Sequence, residues 1–571
     1  MVKSWIIKDQ GNELTVQHLM EVLGIERSIA NLLAQRNIKT FDEARAFFRP
    51  NLKDLHDPFL MRDMEKAVER IKDAIAAREK LLIYGDYDVD GTTSVSMMYS
   101  FFRNLYDNID FYIPDRYSEG YGISFKSIEY AALNGFKLII ALDCGIKAVE
   151  KVKFAAERGI DFIICDHHTA GDIIPDAVAV LDPKREGCNY PFKELSGCGV
   201  GFKLIQAYAI KNNIPLEKIT PFLDLVAVSI ASDIVPIIGE NRVLAHYGLQ
   251  ELNNHPRTGL KAIIKIAGLE EKDITIDDIV FKIGPRINAA GRIESGKSSV
   301  ELLIADTEDI ALSMGSIIND FNNTRRTIDG TITEQAKNLI AASQEMQTRK
   351  STVLYNSDWH KGVIGIVASR LIESYYRPTI ILTESNGYIT GSARSVTGFD
   401  LYQAIDACSD LLENFGGHMY AAGLTMKKEN LKAFQRRFEE VVSETISPEM
   451  LIPVVEIDTE IKLSDITQRF FRILKQFQPF GPGNMAPVFL TENAVDNGTG
   501  GLVGAAREHL KLNLIQEEDP YTVFPAIAFN QAHHHDKICN GYAFDICYNI
   551  DENEFRGNVT LQLKIKDIKT D

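Results

Sequence analysis

The chain has 571 residues, too many for one hydrophobic core, so roughly two to four domains are expected. Its 62 Lys and Arg against 79 Asp and Glu give a formal charge of −17, which excludes a protein that coats nucleic acid indiscriminately and confines any polyanion to a local basic groove. The seven cysteines form no C-x-x-C pair and read as reduced thiols; the charged opening Met1–Asp9 holds no signal-peptide core, and no stretch spans a bilayer, so a cytoplasmic protein is expected.

Residues 1–75 carry a mostly helical pattern broken at Arg49-Pro50 and are expected to form an N-terminal extension packed on the first domain. From 76 to 299, short apolar runs alternate with helical ones such as 122–134 and 146–158, the pattern of βαβ units around a parallel sheet. Residues 300–346 keep helical periodicity, with Gly315 and Gly330 as weak points, and predict a long connecting helix. A second, smaller α/β domain is expected over 347–450, with strands at Thr352–Tyr355 and Thr379–Thr383 and helices at 361–374 and 400–413. Residues 453–571 turn to β patterning at Val454–Ile457, Val488–Leu490, Leu510–Ile515, Phe544–Tyr548 and Val559–Ile565. Short strands at that spacing predict a small C-terminal barrel of the OB-fold type.

Three of the apolar runs end on acid. Leu81-Leu82-Ile83-Tyr84 leads into Gly85-Asp86-Tyr87-Asp88-Val89-Asp90-Gly91, Leu138–Leu142 into Asp143, and Phe162–Cys165 into Asp166-His167-His168. Buried parallel strands present their ligands at their carboxyl ends, so the three clusters are expected at one rim. Carboxylates and imidazoles that close repel unless cations lie between them, and Asp/His ligation suits Mn²⁺ or Mg²⁺. The chemistry points to a two-metal phosphoesterase.

Gly85–Thr92 together with Asp166-His167-His168 resembles the DHH phosphoesterase superfamily and, within it, the RecJ family of bacterial single-strand-specific 5′→3′ DNA exonucleases. The same resemblance runs through Ile113-Pro114-Asp115-Arg116, Gly197–Lys203, Gly284–Arg292, Trp359–Gly365, Ser392–Ser395, Gly416-Gly417-His418 and Pro479–Asn484, and so covers residue 75 to the end. It implies that Asp88, Asp90, Asp143, His167 and Asp233 hold two Mn²⁺ or Mg²⁺ ions with Asp143 between them, and that His168 faces the scissile phosphate. Some superfamily members have a His four residues before the first ligating Asp. Tyr84 stands there in this chain, which leaves single-metal occupancy open.

Asp86 and Asp166 are expected to hold ligands in place rather than bind metal. Asp182, followed by Pro183, reads as an Asx turn. His533-His534-His535 cannot easily converge on one ion and reads as an exposed loop, and Cys144 and Cys165 read as packing thiols. Phosphate contacts are expected from Arg116, Arg286, Arg292, Arg370 and Arg394, whose forks match phosphate oxygens, and from Asn288, Ser392, Gly416, Gly417 and His418.

The resemblance implies hydrolysis of single-stranded DNA in repair and recombination, by a monomer that meets a single-strand-binding protein or a helicase. A phosphodiesterase of short oligonucleotides or cyclic dinucleotides is the enzymatic alternative, though it would not need the barrel. An inactive DNA-binding replication scaffold is a third, which the intact ligand set disfavours.

Overall fold

The structure, a computed structural model, describes residues 2–538, 540–555 and 557–570. Strand β1 (Ser4–Ile7) and helices α1 (Glu13–Leu23), α2 (Arg27–Gln35) and α3 (Phe41–Phe48) precede helix α4 (Met64–Ala76). Sequence analysis places all of residues 1–75 on the first domain, and only part of them goes there. Met61, Met64 and Val68 join the core of the parallel-sheet domain, whereas Val16, Leu19, Ile29, Leu32 and Leu33 share a core with the C-terminal barrel. Amphipathic spacing dictates that a helix face is buried and leaves its partner open.

Five strands, β2 (Lys80–Gly85), β3 (Ile109–Tyr112), β4 (Phe136–Leu142), β5 (Asp161–Cys165) and β6 (Ala179–Leu181), form an all-parallel sheet of order β3-β2-β4-β5-β6. Crossover helices include α5 (Val89–Arg103), α6 (Phe125–Leu133) and α7 (Val149–Ala156). Leu81, Ile83, Leu138, Ile140 and Ile163 point into one core while Leu82, Tyr84, Ile139, Ala141 and Ile164 point into the other. Burial on both faces is why these strands read as unbroken apolar runs. Strand order reverses between β2 and β4, so the loops after those two strands flank the crevice where such sheets bind ligands. Helices α8 (Gly197–Lys211), α9 (Leu223–Ser232) and α10 (Gly239–Asn254) follow, and further helices out to Leu303 pack into the same core.

The connecting helix spans Glu308–Ala341, 34 residues, and runs straight through Gly315 and Gly330. Its start is later than 300 because Lys297–Leu303 is a separate helix whose Val300, Leu302 and Leu303 belong to the first core. Ala311 and Ile318 of the connector lie in that same core, while Ile332, Ala336 and Ile340 lie in the core of the second domain. That domain holds β7 (Thr352–Tyr355), β8 (Thr379–Ser385), β9 (Tyr388–Arg394), β10 (Asn414–His418) and β11 (Ala421–Met426) in the order β10-β11-β9-β8-β7, with only β7 and β8 parallel.

Strand β12 (Val454–Ile457) pairs in parallel with β1, outside the barrel that its pattern predicts. The barrel contains β13 (Thr459–Glu460), β14 (Phe489–Asp496), β15 (Gly501–Val503), β16 (His509–Gln516), β17 (Asp519–Ala528), β18 (Phe544–Phe555) and β19 (Asn558–Lys569). Pairing of β14 with both β18 and β16 closes a ring β14-β18-β19-β17-β16, the five-stranded closure of an OB-fold. The barrel is fastened to the first domain through Arg242 of α10. Its guanidinium donates to the carbonyls of Phe47 at 3.1 Å, Phe477 at 2.9 Å and Gln478 at 2.9 Å, and lies 3.8 Å from the Phe47 ring centre. Burial, with Arg36 nearby, pushes its pKa down to about 9. Among the described residues no helix is long and apolar enough to cross a membrane.

Candidate metal centre and substrate cleft

The loop after β2 is shaped by Gly91, where a Cβ would lie 2.3 Å from the Asp86 carbonyl oxygen. The tight approach lets α5 start at once, with Asp88 as its cap, accepting the Gly91 N–H at 3.0 Å. Asp90, in the first turn, accepts hydrogen bonds from Gly197 N–H at 2.7 Å, Cys198 N–H at 2.8 Å and Ser229 Oγ at 2.7 Å. Those donors fix its carboxylate beside Asp143, which follows β4 in a left-handed conformation (φ +57°). Gly197 is required there, since its Cβ would fall 2.6 Å from Asp143 Cβ. Asp233 closes α9, its N–H bonded to the Ser229 carbonyl at 2.9 Å.

His167, just beyond β5, stands among these acids. Its Nε2 is 3.1 Å from Asp143 Oδ1, 3.5 Å from Asp233 Oδ2 and 3.7 Å from Asp90 Oδ2. Asp143 Oδ1 and both ring nitrogens of His167 are buried without a hydrogen-bond partner. Ligating atoms converge in two overlapping groups, Asp143 with His167 and His168, and Asp90 with His167 and Asp233. His167 is common to both, but one imidazole nitrogen has one lone pair and a carboxylate has several, so a ligand shared by two cations here has to be one of the carboxylates. Asp88 lies outside both groups, and Tyr84 is taken up elsewhere, donating to the Gly122 carbonyl at 2.8 Å.

Electrostatics agree with a cation site. Burial, reinforced by Asp90 and Asp88, raises the Asp143 carboxyl well above its ordinary range, and the same causes push Asp233 up to about 8. Asp88 is raised by burial, and burial lowers His167. Asp86 is raised by burial and by Asp88, and one of its oxygens serves the Tyr87 N–H at 2.8 Å. For His168 burial works downward, but the Asp166 carboxylate, 2.8 Å from Nδ1, outweighs it and lifts the imidazole to about 9. Asp166 also accepts the Ile146 and His167 N–H groups. Nε2 of His168 meets the Tyr121 hydroxyl at 3.2 Å on the open side.

Guanidinium groups from both α/β domains gather beside the acids. Arg116 bonds the Gly291 carbonyl at 2.9 Å and covers the Tyr87 ring at 4.0 Å. Arg292 reaches the Gly362 carbonyl at 3.0 Å, and burial together with Arg116, Arg325 and Arg394 brings it down to about 9. Arg394 touches Ser392 Oγ at 3.1 Å and its own strand's Ala393 carbonyl at 2.8 Å. Both press on Gly365, whose Cβ would lie 2.9 Å from Ser392 Oγ and 3.0 Å from Arg394 Nη2. Arg286 bonds Asn319 at 3.1 Å, and Asn288 Oδ1 is buried without a partner.

Arg370 Nη1 lies 2.8 Å from Asp329 Oδ1. Gly416, Gly417 and His418 form strand β10, with His418 opposite Ala421 and Ala421 opposite Arg394, so His418 stands about 10 Å from Arg394 across two strand spacings. Asp182 makes its Asx turn with Lys184 N–H at 2.7 Å. His533–His535 belong to no ligand group among the described residues, and Cys144 and Cys165 are buried in the two cores. Sequence reasoning missed Arg325 on the connector, whose charge bears on both Arg292 and Arg286.

A parallel sheet with acids and imidazoles at its carboxyl rim, beside guanidinium groups of its own domain and of the second, defines a DHH-type metal phosphoesterase. Family models agree: "DHH family, N-terminal domain" matches residues 80–230, "DHHA1 domain" 349–444 and "RecJ OB domain" 457–567. The single-stranded-DNA-specific exonuclease RecJ of Bacillus subtilis is 38% identical over 554 residues, 97% of this chain and 69% of that protein. Its Haemophilus influenzae counterpart is 32% identical over 532 residues, 90% of this chain and 92% of that one. The crystal structure of Thermus thermophilus RecJ with Mn²⁺ has the same fold, with a TM-score of 0.85 at 23% identity over 100% of this chain and 80% of that one. An exonuclease RecJ structure bound to manganese matches at a TM-score of 0.60 and 28% identity over 70% of this chain and 98% of its own. The chain belongs to the RecJ family.

Proposed function

We propose that this protein is a metal-dependent exonuclease that degrades single-stranded DNA from its 5′ end, in the cytoplasm, in DNA repair and recombination. The observation that carries the reading is the buried, unpartnered pair Asp143 Oδ1 and His167 Nε2, 3.1 Å apart among further carboxylates and beside a guanidinium cluster. Asp88, Asp90, Asp143, His167 and Asp233 would hold two Mn²⁺ or Mg²⁺ ions, with Asp143 bridging; such ions make water nucleophilic at neutral pH and offset charge on the reacting phosphate. The manganese bound by the relative 28% identical to this chain supports that metal class.

The chain's own groups do the rest. His168, kept protonated by Asp166, donates from the open side to a phosphate oxygen. Arg116, Arg292, Arg394 and Ser392 grip phosphate across the cleft, with Arg286, Asn288, Gly416, Gly417 and His418 along its walls. The barrel holds the strand further out. Lys511, Ile527 and Lys564 form one row across β16, β17 and β19, although Lys564 is already paired with Asp551. Residues 76–307 thus act as the catalytic unit, 347–450 as the phosphate-gripping cap and the barrel as the strand holder. The working unit is a monomer fed by a single-strand-binding protein or a helicase.

Single-stranded DNA labelled at one end or the other, with and without Mn²⁺, tests the reading. Early release of a labelled mononucleotide from the 5′ end, dependent on Mn²⁺, is expected. Release from the 3′ end reverses the polarity, and attack restricted to very short oligonucleotides removes the polymer substrate.

A further inference from the structure

Among the described residues, eleven other than glycine have a positive φ, and five of them are asparagines, which tolerate that region. Ile234 is the one β-branched residue in the set, at φ +60°. A branched side chain there is a genuine outlier, since it crowds the following carbonyl. Burial returns little of that cost, because Ile234 is 64% exposed. The backbone is held from both sides: Asp233 N–H bonds the Ser229 carbonyl at 2.9 Å, Ile237 N–H bonds the Pro482 carbonyl at 2.7 Å, and Asn241 Nδ2 bonds the Pro236 carbonyl at 3.0 Å.

The position explains the strain. Ile234 follows Asp233, whose Oδ2 is 3.5 Å from His167 Nε2, and consecutive Cα atoms are only ~3.8 Å apart. An exposed apolar residue therefore adjoins, in the chain, a member of an otherwise polar cluster. Strained conformations that the surroundings over-determine concentrate where a ligand is held. Of the parts of a nucleotide whose phosphate lies at this cluster, the sugar and base faces are the apolar ones.

We propose that Ile234 is a substrate-contacting residue that packs on the sugar and base of the nucleotide whose phosphate lies at the metal centre. The proposal rests on the exonuclease reading above. Ile234→Asn and Ile234→Gly relax the backbone and remove the apolar surface, while Ile234→Val keeps the branch. Melting temperature, Mn²⁺ affinity by calorimetry, and kcat and KM on a single-stranded oligonucleotide are to be measured for each.

The Asn and Gly variants are expected to melt at or above the wild-type temperature and to bind Mn²⁺ as wild type does. Their KM should rise about tenfold with kcat little changed, as removal of one buried aliphatic group predicts, and Val should restore most of the loss. An unchanged KM in both variants overturns the proposal. So does a KM rise matched by an equal loss of Mn²⁺ affinity, which makes Ile234 a support for Asp233. A wild-type protein that leaves single-stranded DNA intact in Mn²⁺ fails the exonuclease reading itself, before any variant is compared.

Discussion

Arg370 Nη1 lies 2.8 Å from Asp329 Oδ1, and that wholly buried carboxylate takes Arg325 at 2.9 Å on its other oxygen. The pair ties the helix Ile364–Tyr375 of the second domain to the connecting helix. Arg370→Ala is accordingly expected to lower stability by about 1–3 kcal/mol, because the buried Asp329 carboxylate loses one of its two cationic neighbours, while KM for single-stranded DNA stays near wild type. Melting curves read beside kinetics check this. A raised KM with an unchanged melt would return Arg370 to the phosphate site.

Asp143→Ala should abolish hydrolysis, by at least roughly a thousandfold, since the metal-based charge stabilisation it supports is worth several kcal/mol. The metal-free protein should melt no lower than wild type, because burial and the neighbouring carboxylates already disfavour the ionised Asp143. Mn²⁺ is expected to raise the melting temperature of the wild type and to leave the variant's unchanged. Near-normal turnover in purified Asp143→Ala would contradict the bridging role.

Ser229 Oγ donates to Asp90 Oδ1 at 2.7 Å and touches Ser196 Oγ at the same distance. Ser229→Ala leaves Asp90 with its two backbone donors but frees the carboxylate to turn. A loss of metal affinity of about 10–100-fold, partly recovered at high Mn²⁺, is the expected result of removing such an orienting partner. Titration calorimetry measures it, and an unchanged affinity would show that Gly197 and Cys198 suffice.

Arg242→Met keeps the side chain's bulk and strips the carbonyls of Phe47, Phe477 and Gln478 of their shared donor. The barrel should loosen, with faster proteolysis between residues 450 and 490. Long strands should bind more weakly and show a flatter salt dependence, since every phosphate the barrel no longer neutralises takes about 0.7 from the log–log slope on single strands. Turnover of very short oligonucleotides should hold. Equal losses on short and long substrates would place Arg242 in the service of the metal centre instead.

The strand ends carrying Asp88, Asp90, Asp143 and His167 were legible because strands buried on both faces leave unbroken apolar runs, and ligands must follow their carboxyl ends. Asp233 was not, since an Asp closing a helix is ordinary, and the family resemblance alone singled it out. Pattern also could not assign α2 to the barrel or pair Val454–Ile457 with Ser4–Ile7, because periodicity shows that a face is buried without naming what buries it. Arg325 escaped notice for a related reason: on the polar face of a long helix, an arginine held by a buried carboxylate and a solvated one look alike.

The connecting helix works as a ruler with a phase. Ile318 sits in one domain's core and Ile332 in the other's, with unbroken helix between. Those fourteen steps separate the two cores by about 21 Å along the axis. Adding or removing one residue between them would swing the second domain by about 100°, carrying Arg394 away from the metal rim, whereas seven residues would turn it by only about 20° while shifting it by about 10 Å. The place of Arg394 relative to the metal rim is thus set by the length of a single helix, and only changes close to a whole number of turns leave its direction as it is.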